Sequence, residues 1–281
     1  MGQQTSPSLF EEVLMPARDR ETSTPLNNNK EWSHTFNRTP TKETITILYR
    51  NVHRYPDDPL NSLYLTQHSF NPDVLCLCEM PMNCTRSNVE KLYKDFRTCW
   101  NHAAVSLGHT SDNFFQHRYK PGGVAVIALG PMTSRVIHKG HDEFRRWAWI
   151  SLALSNSNTL TIITLYRPCQ STPTAAGPST YFMQLYRQHL AQGAPVSVNP
   201  RQQLIYDFDD ILSTIGSHQI MVNIDANEVS TNRDGVSIFD FLESRGMVSA
   251  YNLVTRDVSN IPPTYMRGTQ CIDYIYVTPD L

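Results

Sequence analysis

From residue 44 onward apolar positions recur in short runs separated by polar turns, and the period of each run sets its element. "TITILYRN" (44–51), "DVLCLCE" (73–79), "GGVAVIAL" (122–129), "WAWISLAL" (147–154), "LTIITLYRP" (160–168), "QIMVNID" (219–225) and "CIDYIYV" (271–277) are rich in β-branched and aromatic residues. Runs of that length and composition predict strands. Apolar residues three and four apart predict helices over 59–70, 87–96, 181–191, 201–215 and 235–246. In 201–215 the face is explicit: Leu204, Ile205, Phe208, Ile211, Leu212 and Ile215. Strands and helices alternate in each half, yet the middle strands follow one another too closely for helical crossovers. That combination predicts two mixed β-sheets packed face to face and flanked by helices, a four-layered α/β/β/α sandwich over residues 44–281.

Residues 1–43 break the pattern. They are polar, interrupted by Pro7, Pro16, Pro25 and Pro40, and carry three asparagines at 27–29. Such a stretch buries too little apolar surface to offset its ordering entropy and is expected to be a disordered tail. For the rest, 40% hydrophobic content suffices for a sizeable core, and a formal charge of −2 excludes a polycationic nucleic-acid binder. Contact with nucleic acid must therefore come from a local patch. No apolar run approaches the roughly 18–20 residues that span a bilayer, and the N-terminus lacks a basic start followed by an apolar stretch. The six cysteines form no CxxC pair, and Cys76 and Cys78 alternate within an apolar strand as small hydrophobes. These features predict an intracellular protein, nuclear or cytoplasmic, with reduced thiols.

Three acids sit where strands meet polar chain. Glu79 closes "VLCLCE", Asp225 closes "IMVNID", and Asp273 lies within "CIDYIYV". A buried carboxylate costs several kcal/mol unless it is paired, hydrogen-bonded or bound to metal. Oxygen ligands converging from several strands suit Mg²⁺, which takes one or two carboxylates and completes its shell with water and phosphate. Asn51, at the end of the first strand, can add a neutral hydrogen-bonding group. Arg145, Arg146 and Trp147 admit two readings: phosphate contacts with base stacking, or charged turn residues before a buried tryptophan. Glu228 is read as a neighbour that tunes Asp225 by like-charge repulsion, or as a solvated acid.

"LYRN", "DVLCLCE", "GGVAVIA", "LYRP", "NIDANE" and "GTQCIDYIYV" follow one another in a fixed order. Together they resemble the endonuclease/exonuclease/phosphatase superfamily, over about residues 44–281. "LYRPCQ", "NPRQQLIYDFDDIL" and "PPTYMRGTQCIDYIYVTPDL" look closer still to the endonuclease-like domains of non-LTR retrotransposons. The resemblance implies a Mg²⁺- or Mn²⁺-dependent phosphodiesterase that acts on DNA. Glu79 is similar to the family's metal-binding glutamate, with Asn51 beside it. Tyr166 resembles the tyrosine that contacts the scissile phosphate. Asp225 resembles the aspartate that orients or deprotonates the attacking water, and Asn227 the amide that holds a phosphate oxygen. Asp273 resembles the acid that fixes the tautomer of a catalytic histidine.

Three departures accompany the likeness. The family's Ser-Asp-His segment follows the last "IDY" strand at a distance, whereas this sequence ends at Leu281. His53 stands where many relatives carry an acid, and Ile224 stands where they carry glycine. The resemblance therefore implies a domain truncated at its C-terminus, weak or inactive as a nuclease. RNA or a small phosphorylated substrate, a lipid phosphatase activity, and a catalytically dead module that binds nucleic acid or protein are the alternatives left open.

Overall fold

The computed structural model describes residues 44–52, 70–80, 102–108, 122–216, 219–229, 236–255, 263–264 and 270–281, together with Glu90, Tyr93, Lys94, Phe96 and Arg97. The expected tail over 1–43, His53, and nearly all of the helix expected over 59–70 lie outside these residues. Two sheets carry the fold. The first contains β1 (Ile47–Asn51), β2 (Val74–Cys78), β3 (Ala103–Gly108) and β4 (Val124–Leu129) in the order β1-β2-β4-β3. The second contains β5 (Val136–His141), β6 (Trp147–Ala153), β7 (Thr159–Tyr166), β8 (Gln219–Asp225), β9 (Val248–Ser249) and β10 (Asp273–Val277) in the order β5-β6-β7-β8-β10-β9. Both sheets are mixed: β1 runs parallel to β2, and β7 parallel to β8, while the other pairs are antiparallel.

Period-two alternation explains why β2 is apolar throughout. Val74, Cys76 and Cys78 face the second sheet and join Val124, Val126, Ile150 and Ile162 in the inter-sheet core. Leu75 and Leu77 point the other way, where Val105, Ile127 and the helical residue Phe96 cover them. The second sheet is covered by two helices. Their shared face brings Leu204, Phe208 and Leu212 of α2 (Pro200–Ile215), with Phe239 and Leu242 of α3 (Ile238–Ser244), onto Ile163, Leu165, Val222 and Ile224. Burying each such side chain contributes about 1.5–3 kcal/mol before entropy. α1 (Tyr181–Ala191) precedes them, and a short α4 (Ala250–Val254) follows β9. The expected α/β/β/α layering is thus the observed one.

Local chemistry sets the ends. Asn199 caps α2 by accepting the Arg201 amide at 2.9 Å, Pro200 opens the first turn, and Gly216 closes it at φ +61°. α3 is shorter than the 235–246 expected, because Ser237 caps it by accepting the Phe239 amide. β10 begins at Asp273, not Cys271, since Thr264 Oγ1 takes the amides of Ile272 and Asp273 at 2.9 and 3.0 Å. β3 and β5 were not expected. β5, "VIHKGH", is an edge strand with its polar residues exposed, the device that blunts a sheet edge and erases the apolar signal.

Candidate active site

Alternation also delivers the polar residues. Ile47 and Tyr49 belong to the inter-sheet layer, so Asn51 at the end of β1 faces the second sheet. Leu160 and Ile162 do the same on β7 and bring Tyr166 with them. On β8, Ile220, Val222 and Ile224 are taken by the helices, which leaves Asn223 and Asp225 on the inner face. On β10, Tyr274 and Tyr276 face α3, and Asp273 is turned inward. Tyr166 is in register with Asp225, and Asp225 with Asp273. One end of the sandwich therefore collects side chains from both sheets.

Hydrogen bonds close the constellation. Asn51 Nδ2 donates to Asp225 Oδ2 at 2.9 Å and to Asp273 Oδ1 at 3.3 Å. The Tyr49 hydroxyl donates to Asp273 Oδ1 at 2.8 Å, and the backbone N–H of Asn227 to Asp225 Oδ1 at 3.1 Å. Glu79 lies one residue past β2, where strand parity would aim it away from the second sheet. Its φ of +52°, unusual for a non-glycine residue, coincides with a return inward: the Tyr166 hydroxyl donates to Glu79 Oε1 at 2.8 Å. The next residue, Met80, is pinned by its amide to the Gly123 carbonyl at 3.0 Å. All six residues expected from the sequence, Asn51, Glu79, Tyr166, Asp225, Asn227 and Asp273, are brought to this end.

The cluster is electrostatically loaded. Burial, then repulsion from Asp273 and Glu79, holds the Asp225 carboxyl well above the usual carboxylate range, against the hydrogen bonds from Asn227 and Asn51. Burial raises Asp273 too, opposed by the Tyr49, Thr264 and Asn51 hydrogen bonds. The same burial and charges push the Tyr49 and Tyr166 phenols well above their ordinary values. Among the described residues no group of three or more His, Cys, Asp or Glu side chains is arranged to hold a metal ion. One carboxylate, Glu79, with an amide, Asn51, at the same end of the sandwich is nonetheless a donor set that Mg²⁺ accepts, since it keeps most of its water. Among the described residues no histidine hydrogen-bonds to Asp273.

Three residues depart from expectation, Glu228, Arg145 and Arg146, and two, Arg167 and Arg201, were not foreseen. Glu228 does not face solvent, and its carboxylate is taken up by arginines. It is 8% exposed and pairs with both Arg167 and Arg201, themselves 2% and 6% exposed. Burial, then the Arg201 charge, pulls the Arg167 guanidinium down to about 9. Only the proximity of Arg167 to Tyr166 and of Glu228 to Asn227 in sequence could have hinted at that triad. Arg145 and Arg146 are each 1% exposed and meet no solvent that would admit a phosphate. Arg146 is held between Asp142 and Asp207, 2.7 and 2.8 Å away, with the Phe144 and Trp147 rings 4.5 Å from its guanidinium. Trp147 is the buried strand tryptophan of the second reading, and the two arginines do lie in the turn before it, but buried: Arg146 in ion pairs, and Arg145 donating to the Gln184 side chain at 3.4 Å.

No protein-family model and no curated protein sequence matches the chain. Solved structures do. The human Nocturnin catalytic domain with bound sulfate is similar over 84% of this chain and 82% of its own, at 15% identity and a TM-score of 0.51. The endonuclease domain of TRAS1, a telomere-specific non-LTR retrotransposon, is similar over 84% and 85%, at 12% identity and a TM-score of 0.51. The 3′ phosphatase NExo from Neisseria, bound to a product DNA hairpin, is similar over 84% and 88%, at 13% identity and a TM-score of 0.51. What these identities establish is the fold, which is that of the endonuclease/exonuclease/phosphatase proteins.

Proposed function

We propose that the chain is a divalent-metal-dependent phosphodiesterase that cuts DNA, of the kind carried by non-LTR retrotransposons. The observation that carries the reading is the Asn51 amide, which reaches from one sheet to two facing carboxylates of the other, with Glu79 and Tyr166 on the same end. Such an arrangement makes no sense as core packing, because three acids repel one another there. It makes sense as a place for a cation and an anion. In the TRAS1 domain this fold belongs to an endonuclease, and NExo was solved with DNA; both support DNA over a small substrate.

Each residue has a task that its contacts permit. Glu79 and Asn51 would hold Mg²⁺ or Mn²⁺, and the ion, when bound, would withdraw charge from a phosphoryl oxygen. Asp225, fixed by Asn51 and the Asn227 amide, orients an attacking water and takes its proton; its raised proton affinity brings it closer to the pH where a general base works best. Tyr166 donates its one hydroxyl proton to Glu79, and that proton would become free for a phosphate oxygen when Glu79 takes a cation instead. Asn227 spends one side-chain N–H on the Arg167 carbonyl at 2.7 Å, leaving the other for the phosphate. Asp273, held by the Tyr49 hydroxyl, would pair with a protonated group, as its family counterpart does with a histidine.

The test is nicking of supercoiled plasmid in Mg²⁺ or Mn²⁺, comparing this chain with its Asp225→Ala variant. Slow cleavage that requires both metal and Asp225 is expected. Cleavage that survives Asp225→Ala would sink the assignment. Hydrolysis of a soluble phosphomonoester without nicking would favour the phosphatase reading, and neither activity would favour a binding module.

A further inference from the structure

We propose that the buried Arg167–Glu228–Arg201 triad is the positioning element of this site, locking the two turns that carry the phosphate-contacting groups into one rigid piece. The inference rests on the phosphodiesterase reading for its consequence but not for its geometry. Arg167 follows Tyr166 at the end of β7, Glu228 follows Asn227 after β8, and Arg201 lies in the first turn of α2. Glu228 Oε2 takes both guanidiniums. Arg201 also donates to the Pro168 carbonyl and, at 3.4 Å, to the Asn227 carbonyl. Arg167 reaches the Val236 carbonyl at 2.7 Å, and its own backbone amide donates to the Asp225 carbonyl at 2.9 Å. Arg201 thus grips both turns from α2, while Arg167 ties the pair to the chain leading into α3.

Asn227 is what the triad constrains. Its backbone is left-handed, at φ +45°, which asparagine tolerates. Its side chain is held at both ends, Nδ2 on the Arg167 carbonyl and Oδ1 accepting the Cys169 thiol at 3.2 Å. Every anchor in that description lies within one residue of a triad member or of the Pro168 carbonyl that Arg201 holds. Stability alone does not account for burying three charges, since apolar side chains of similar volume are often as stable or more so. What an apolar core cannot do is fix two irregular turns through their carbonyl oxygens. The triad members touch no reacting atom; they act through Asn227 and Tyr166.

Cys169 gives a readout that needs no activity. It is exposed and bonded to Asn227, so the rate of its alkylation by iodoacetamide, followed by mass spectrometry of its own peptide, reports on how firmly the turns are joined. Arg201→Met should speed that reaction several-fold per thiolate under conditions where the variant is fully folded. A pH profile of the rate corrects for the rise in Cys169 pKa that loss of the Arg201 charge brings. The variant is expected to unfold at lower urea, since it leaves a buried ion pair short of one partner. The same variant should lower kcat for plasmid nicking by about 10- to 100-fold with KM nearly constant, the cost of a misplaced group at a reacting centre. Arg201→Lys should fall between the two. If Arg201→Met fails to fold, the charge-free combination Arg167→Met/Glu228→Leu/Arg201→Met carries the same two readouts. Unchanged Cys169 reactivity in a folded variant overturns the proposal, whatever the nicking assay gives. Faster alkylation with no nicking even by the parent chain upholds the triad and removes the phosphodiesterase reading instead.

Discussion

Asp225 and Asp273 stand directly opposite one another across the antiparallel β8–β10 ladder, and both accept from the single amide of Asn51 on the other sheet. Like charges in facing positions destabilise a sheet, so this pair is tolerated only with donors supplied from outside it.

Replacing Asn51 by alanine removes that relief. The loss should be about 1–3 kcal/mol, the range for hydrogen bonds to buried or charged acceptors, read from urea unfolding at neutral pH without metal. Asn51 favours the ionised form of Asp225, so the deficit should shrink as acid protonates the carboxylates. An equal loss at all pH values would mean that Asn51 contributes packing alone.

Gly123→Ala should damage Glu79 from a distance. Gly123 has φ +95°, and a Cβ there would lie 2.4 Å from the Met80 carbonyl oxygen, next to the residue whose inward turn places the carboxylate. Backbone strain of this kind costs on the order of 1–3 kcal/mol, and the contact with Met80 adds to it. The variant should unfold at lower urea and bind Mn²⁺ more weakly. Wild-type stability would show that the segment around Met80 yields without penalty.

How much of this was legible depends on what each residue does to the pattern. Asn51, Tyr166 and Asp225 announce themselves because they end apolar strands whose parity fixes their direction. Glu79 announces itself as an acid but not its direction, because a positive φ is invisible in a string of letters. Arg167 and Arg201 carry no sequence signal of their role, and Glu228 reads only as an acid beside Asp225 or in solvent. Their charges suggest solvent, and only the meeting of the β7 and β8 ends with the first turn of α2 buries them together. β5 was missed for the opposite reason: an exposed edge carries no apolar period to detect. The tail and the helix expected at 59–70 stay expectations, since they fall outside the described residues.

Metal affinity should be weak and should depend on Glu79 and on the residue that orients it. Glu79→Gln should abolish the calorimetric signal for Mn²⁺. Tyr166→Phe, which deletes the 2.8 Å bond to Glu79, should weaken binding by about 10- to 100-fold, as loss of a group that orients a ligand commonly does. Unchanged binding in Glu79→Gln would show that Glu79 is not the ligand.

His189, far from the carboxylates in sequence, should set part of the acid sensitivity of the fold. It is 5% exposed, stacks on Phe144 with ring centroids 4.6 Å apart, and its Nε2 has no hydrogen-bond partner among the described residues. Burial, then repulsion from Arg146, lowers its proton affinity against the weaker pull of Asp207 and Asp142. The unfolded chain protonates its histidines below about pH 6.5 while the native state resists. The unfolded state therefore binds more protons there, and stability falls as pH drops from about 6.5 toward the native pKa, with a slope of at most about 1.4 kcal/mol per pH unit for one proton. His189→Phe keeps a ring against Phe144 and removes the proton. His141, whose proton affinity is also lowered by burial, is present in both proteins and cancels in the comparison. Urea midpoints measured from about pH 7.5 to about pH 5 should fall more steeply for the parent chain than for the variant. Parallel curves would mean that His189 takes up its proton as easily in the native state as in the unfolded one.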